Sequence, residues 1–340
     1  MSNSADRAEW LTGHGLMVHW IAPGPFPREG ERECDVNRAV DAFDVAGFLE
    51  DFDRTGAKWL IFTVGQNSGF YASPNAVLDR LAGPGRCSQR DLVLELAQAL
   101  HARGKRFIAY LPCEVRGQSP EIHEAFGWTQ ERNTAQPEFQ RRYLEFVREW
   151  AERWGRFVDG WFFDGCYTWD CLPNHLFDYP AWFDTARAGN AERLITFNDG
   201  CFCLGITEPV HPDFDYLSGE TEVLSAGRVR MGREDSSPLY QPAARFVGGT
   251  RCVVHGLVPI DVYWAYEFAT PIDPWPHRFA PFDPARPGPM PDPIYPDEEL
   301  RRVFRDFTDV GGAVTFNVGI FQEGRLAPRS VAQLERLHFP

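Results

Sequence analysis

The chain alternates short apolar runs with amphipathic stretches, a rhythm that predicts parallel strands joined by crossover helices. Residues 16–20 read as a first strand. Over 45–54, Val45, Phe48, Leu49 and Phe52 recur at helical spacing behind Asp44, a good N-cap type. Gly56 stops that helix before a second strand over 59–63. The unit then repeats: Ser88 is expected to cap a helix carrying Leu92, Leu96, Ala99 and Leu100, Gly104 ends it, and 106–111 form strand three. A long helix over 138–154 leads to a fourth strand over 160–164. Further strands are predicted at 195–198, more weakly at 214–217, and at 257–263. A helix over 297–309, a strand over 313–318 and a helix over 330–337 complete eight units.

Eight strand–helix units favour an α/β fold closed as a (β/α)8 TIM-type barrel over an open doubly wound sheet. No internal repeat or second core interrupts the pattern, so one catalytic domain over 1–340 is expected. Segment 271–296 is crowded with proline, which strands and helices exclude, and is too long for an ordinary connection. It is expected to be a loop at the active-site mouth or a partner surface.

Composition removes several function classes. A net charge of −14 argues against a nucleic-acid partner, whose phosphates need a basic surface. No apolar run is long enough to span a bilayer, so no membrane role is expected. The polar start lacks the basic-then-apolar pattern of a secretory leader. The eight cysteines show no paired metal spacing; Cys201 and Cys203 flank Phe202, but two thiols make no zinc site. Reduced thiols in a cytoplasmic protein, with no metal and no cofactor, are the expectation, and assembly into a homo-oligomer stays open. The 14% aromatic share suits either stacking on sugar rings or filling a large core.

Catalytic groups of such barrels lie at the C-terminal ends of strands. Those positions hold His19 and Trp20; Gln66 and Asn67; Tyr110 and Glu114; Asp164; Asn198 and Asp199; Glu220 and Glu222; Tyr263, Trp264 and Glu267; and Asn317. None is a lysine, which disfavours Schiff-base chemistry. Carboxylates, amides and aromatics together suit a carbohydrate or glycoside. Asp164 ends an apolar strand and is followed by Gly165, which lets the chain turn. A buried charge there is costly unless paired or used, so it is either a catalytic carboxylate or a cap for the next loop. Glycosidases need two carboxylates, and Glu220 or Glu222 can supply the second, unless both are simply solvated. His19 either binds a sugar hydroxyl or is satisfied in the core; Trp20 and Trp264 either stack on sugar or pack.

At these residues the chain resembles the α-L-fucosidases of glycoside hydrolase family 29. Leu16-Met17-Val18-His19-Trp20 is similar to the family's first strand, and Gly56-Ala57-Lys58-Trp59-Leu60-Ile61-Phe62-Thr63 to its second. Arg90-Asp91-Leu92 followed by Leu94-Glu95-Leu96 resembles the next helix. Trp161-Phe162-Phe163-Asp164-Gly165 resembles the strand that carries the nucleophile, and Gly311 to Gly319 with Gly324-Arg325-Leu326 the closing strand and turn. The resemblance implies a retaining exo-glycosidase with a covalent intermediate on Asp164, Glu220 as acid/base, and His19 on a sugar hydroxyl. Glu220 is preferred to Glu222 because Asp215-Tyr216 precedes it as in the family's sixth-strand stretch. Three departures stand out. Gln66 and Asn67 replace the family's paired histidines, Gly200 replaces an arginine, and the C-terminal β-sandwich of many members is missing. Two alternatives stay in play: an inverting glycosidase for another sugar, and a non-catalytic carbohydrate-binding protein on the same scaffold. A metal-dependent hydrolase is a more distant reading.

Overall fold

The computed structural model describes residues 7–200, 207–221, 224–225, 227–230, 239–261, 264 and 290–339. Seven parallel strands form one curled sheet: β1 Gly13–Val18, β2 Trp59–Thr63, β3 Arg106–Pro112, β4 Gly160–Asp164, β5 Leu194–Asn198, β9 His255–Pro259 and β10 Ala313–Asn317. Their order is β5-β4-β3-β2-β1-β10-β9, so neighbours in sequence are neighbours in space and β1 pairs with β10. Residues 214–221 occupy the remaining place without forming a regular strand. Asp215 N donates to Ile195 O at 2.9 Å on one side, and Leu217 N to Val253 O at 2.9 Å and Leu257 N to Gly219 O at 2.8 Å on the other. Gly219 is essential to this seam: at φ +68°, an added Cβ would lie 2.2 Å from His255 O. The molecule is therefore a (β/α)8-type barrel whose sixth position is an irregular bridging segment instead of the strand expected over 214–217.

The helices lie outside the barrel: α1 Val36–Asp41, α2 Val45–Arg54, α3 Ala76–Ala82, α4 Leu92–His101, α5 Pro120–Phe126, α6 Pro137–Trp154, α7 Tyr179–Ala186, α8 Asp297–Thr308 and α9 Pro328–Leu337. Asp44 caps α2 as the sequence predicts, accepting from Gly47 N at 2.9 Å. Helix α4 starts later than expected. Its cap is Asp91, which accepts from Leu94 N at 3.0 Å, while Ser88 spends its hydroxyl on Arg90 O. Strand β1 begins earlier than predicted and stops at Val18, and β9 covers His255–Pro259, two residues ahead of the expected start, while 262–263 lie outside the described residues. A small antiparallel sheet, β6 Leu224–Ser225, β7 Arg228–Arg230 and β8 Leu239–Tyr240, was not anticipated.

Strand alternation sorts the core into two shells. Met17, Trp59, Ile61, Ile108, Tyr110, Phe162, Leu194 and Leu257 fill the barrel interior. Their sequence neighbours, among them Leu16, Leu60, Phe107, Trp161, Phe163 and Ile195, face the helices. Most of the aromatic content is consumed in that outer shell, where Trp150 stacks on Trp154 (5.4 Å) and Trp154 meets Trp161 (5.5 Å). Arg193 is fully buried in the same layer. Its guanidinium donates to the carbonyls of Val158, Ala186, Ala188, Ala151 and Gly155 at 2.5–3.0 Å, tying off the C-terminal ends of α6 and α7. Burial lowers its pKa only to about 10, so it stays cationic at neutral pH. No helix among the described residues is long and apolar enough to cross a membrane.

Candidate active site

The alternation that builds the interior also decides which strand-end residues meet. On β4, Gly160 and Phe162 face inward, so Asp164 does too. By the same parity Met17 sends His19 inward, Leu194 sends Asn198, and Ile108 sends Tyr110. They line a cavity of about 200 Å3 at the C-terminal mouth, together with Met17, Gln66, Phe162, Tyr167, Glu220, Leu257 and Trp264. Seven of the expected site residues are thus brought together: His19, Gln66, Tyr110, Asp164, Asn198, Glu220 and Trp264.

Four expected residues are placed elsewhere. Trp20 has the opposite parity to His19: its ring is buried between Phe43 and Phe62, and its Nε1 donates to Gln322 O at 2.9 Å. It packs, and cannot stack on a ligand in the cavity. Asp199 likewise points away from Asn198 into the outer layer, where burial raises its pKa to about 7. Asn67 sits in a left-handed conformation at φ 53° and is exposed outside the cavity lining. Glu114 is buried behind Gly165, accepting from the backbone N–H of Arg116; burial, then the charge of Asp170, raises its pKa to about 7. Glu222, Tyr263, Glu267, Cys201, Cys203 and most of the proline-rich segment lie outside the described residues.

Asp164 is held by four donors. Asn198 Nδ2 (2.8 Å), Gly165 N (2.9 Å) and the Tyr167 hydroxyl (3.4 Å) converge on Oδ1, and the Tyr110 hydroxyl donates to Oδ2. Burial raises the carboxyl above its usual range, and these hydrogen bonds oppose that by favouring the carboxylate. The same Asn198 nitrogen lies 2.5 Å from Glu220 Oε2. Asp164 Oδ1 and Glu220 Oε2 are therefore no farther apart than those two contacts laid end to end. Glu220 is carried by the seam, where it bridges Leu257 and is followed by Thr221, whose N donates to Leu257 O.

The walls are suited to hydroxyls and ring faces. His19 Nδ1 pairs with Asn317 Oδ1 at 2.9 Å, and burial lowers its pKa to about 4, so the imidazole is neutral. Gln66 Oε1 is buried with no hydrogen-bond partner among the described residues, leaving an acceptor available to a ligand. Trp264 and Tyr110 flank the His19 ring at 5.8 and 5.2 Å. Tyr167 was missed by the sequence reading. It lies three residues beyond Asp164, and Gly200 makes room for it: a Cβ on Gly200 would come within 3.0 Å of the Tyr167 ring. The absence of a side chain at Gly200 thus admits a phenol. Only an aromatic soon after the strand end hinted at this in the sequence.

No family model and no curated protein matches the sequence. Solved structures do share its fold. An endo-fucoidan hydrolase of glycoside hydrolase family 107 superposes with a TM-score of 0.65 at 15% identity, over 99% of this chain and 54% of that one. The α-L-fucosidase isoenzyme 1 from Paenibacillus thiaminolyticus gives 0.60 at 15%, over 98% and 75%. The α-L-fucosidase AlfC, in a fucosyltransferase mutant form, gives 0.58 at 14%, over 98% and 97%. The chain spans about half the length of the family 107 hydrolase. A structure titled as a family 29 member is also similar, with a TM-score of 0.59 at 14% identity, over 99% of this chain and 68% of that one. The likeness to family 29 α-L-fucosidases read from the motifs therefore holds at the level of the barrel.

Proposed function

We propose that the protein is a retaining exo-glycosidase that releases a terminal α-L-fucose or a closely related sugar. The observation that carries this reading is the Asp164–Glu220 pair bridged by one Asn198 nitrogen at the mouth of a cavity of about 200 Å3. Such a cavity suits a single sugar ring, and two carboxylates that share one amide nitrogen fit the closer spacing of a retaining pair. Solved neighbours titled as α-L-fucosidases and an endo-fucoidan hydrolase add support for the sugar.

In this mechanism Asp164 attacks the anomeric carbon through Oδ2. Oδ1 already accepts three hydrogen bonds, whereas Oδ2 meets the Tyr110 hydroxyl. Glu220 gives its proton to the departing oxygen and then takes one from the water that cleaves the glycosyl ester. His19, Gln66 and Trp264 hold the sugar in place.

The test uses an aryl α-L-fucoside. Asp164→Ala should lose about 10⁴-fold or more in turnover, and azide should restore bond cleavage by giving the inverted glycosyl azide. NMR of the wild-type reaction should show the α-anomer of the free sugar first. Early β-anomer would establish inversion, full activity in Asp164→Ala would end the mechanism, and sugar binding without hydrolysis across an aryl-glycoside panel would make this a binding protein.

A further inference from the structure

We propose that Trp169, with the Arg116 guanidinium beside it, forms the site for the leaving group, and that this group is a second sugar ring. The proposal rests on the cavity being the seat of one terminal sugar.

Trp169 is 48% exposed and, with Leu239, makes up the exposed large apolar side chains among the described residues. It is not a loose surface residue. The Tyr167 ring lies parallel to it, with centroids 4.9 Å apart and an angle of 7°. Tyr167 itself lines the cavity and reaches Asp164 Oδ1. The exposed indole is thus one ring removed from the nucleophile.

A second support comes from the loop after β3. The Arg116 guanidinium lies 4.8 Å from the indole centroid, within cation–π range. Arg116 is anchored in turn by Asp170, whose Oδ1 is 3.5 Å away. Asp170 is buried and also accepts from Cys171 N at 2.6 Å. An aromatic ring, a cation and a buried carboxylate therefore fix an indole whose apolar surface still meets water. Holding such a surface rigid contributes little to the fold and much to a ligand that arrives there, because its ordering is already complete.

The chemistry of the pair selects the ligand. Exposed indole surface suits the C–H groups of a pyranose, and a part-exposed guanidinium offers N–H donors to hydroxyl oxygens. A small cavity filled by the terminal ring leaves only the other side of the scissile bond to emerge beside this step. A simple alkyl alcohol would use the indole alone, and a lone leaving atom would use neither.

Two measurements separate this inference from the function it builds on. Turnover is compared for an α-L-fucosyl disaccharide and α-L-fucosyl fluoride, which has no leaving-group ring. Trp169→Ala should lower kcat/KM for the disaccharide about tenfold more than for the fluoride, with Trp169→Phe in between. Equal losses on both substrates would overturn the inference while leaving the glycosidase reading intact. Calorimetry on Glu220→Gln supplies a readout that needs no turnover. The disaccharide should bind more tightly than fucose, and adding Trp169→Ala should abolish that difference. A difference that survives in the double variant, or that never exists, overturns the inference even if no fucoside is hydrolysed.

Discussion

Asn198 donates to Asp164 Oδ1 at 2.8 Å, and the same nitrogen reaches Glu220 Oε2 at 2.5 Å. The amide thus favours the ionised form of Asp164. Asn198→Ala removes that stabilisation, so Asp164 should hold its proton to higher pH. The acid limb of the kcat/KM profile should move upward and the maximum should fall by about 10²-fold. Asn198→Asp adds a third carboxylate and should move the limb farther. A profile that keeps its shape and merely loses height would show that Asn198 does not act through Asp164.

Tyr110 contributes on the other oxygen. Burial, then the Asp164 charge, pushes its phenol well above the usual range, so it is a neutral donor throughout the working range of pH. Tyr110→Phe should raise the Asp164 pKa and cost about tenfold or more in kcat, with the acid limb again moving upward. Unchanged kcat with altered KM would instead assign the hydroxyl to substrate binding.

Glu114 predicts a pH-dependent stability change. Burial raises its folded pKa to about 7, above the ordinary value of 4.5, so the folded protein binds this proton more tightly than the unfolded chain. The group is neutral in both states below about 4.5. Above about 7 it must ionise in a buried site, which destabilises the fold by on the order of 3 kcal/mol. Glu114→Gln should therefore match wild type near pH 4 and be more stable at pH 8. Urea denaturation at both pH values measures the difference; equal midpoint shifts at the two would contradict the assignment.

Arg193 should matter for stability and little for chemistry. Arg193→Met removes all five of these hydrogen bonds and leaves the Gly155 and Ala188 carbonyls short of a side-chain donor, for a loss of about 3–5 kcal/mol. Tm should drop by about 4–7 °C. Arg193→Lys should recover part of that, since an ammonium has donors but not the planar fork. Calorimetric scans of the two variants test the ordering Arg, Lys, Met.

The barrel was legible because helical and strand periods are written directly into residues such as Phe48, Leu49 and Phe52 or Trp59 to Thr63. The site was legible at Asp164, where a carboxylate closes an apolar strand. Parity could have removed Trp20 and Asp199 in advance: each is the odd neighbour of an inward residue, His19 or Asn198. The seam was harder to read, since 214–221 pair through scattered backbone bonds that leave no repeating side-chain pattern. Tyr167 was hidden for a similar reason, as its place depends on the empty volume at Gly200, a contact between two loops.

That seam gives the two carboxylates unequal tethers. Asp164 ends a strand paired along its length on both sides, to β3 and to β5, so its backbone is fixed by the barrel wall. Glu220 rides on the one stave built from isolated contacts, between a glycine that no other residue can replace and a threonine bonded back to Leu257. Substitutions along that stave would re-aim Glu220, the proposed proton donor, and leave Asp164 where it is. Reaction outcome and leaving-group preference would then be adjustable there while the rest of the barrel stays unchanged.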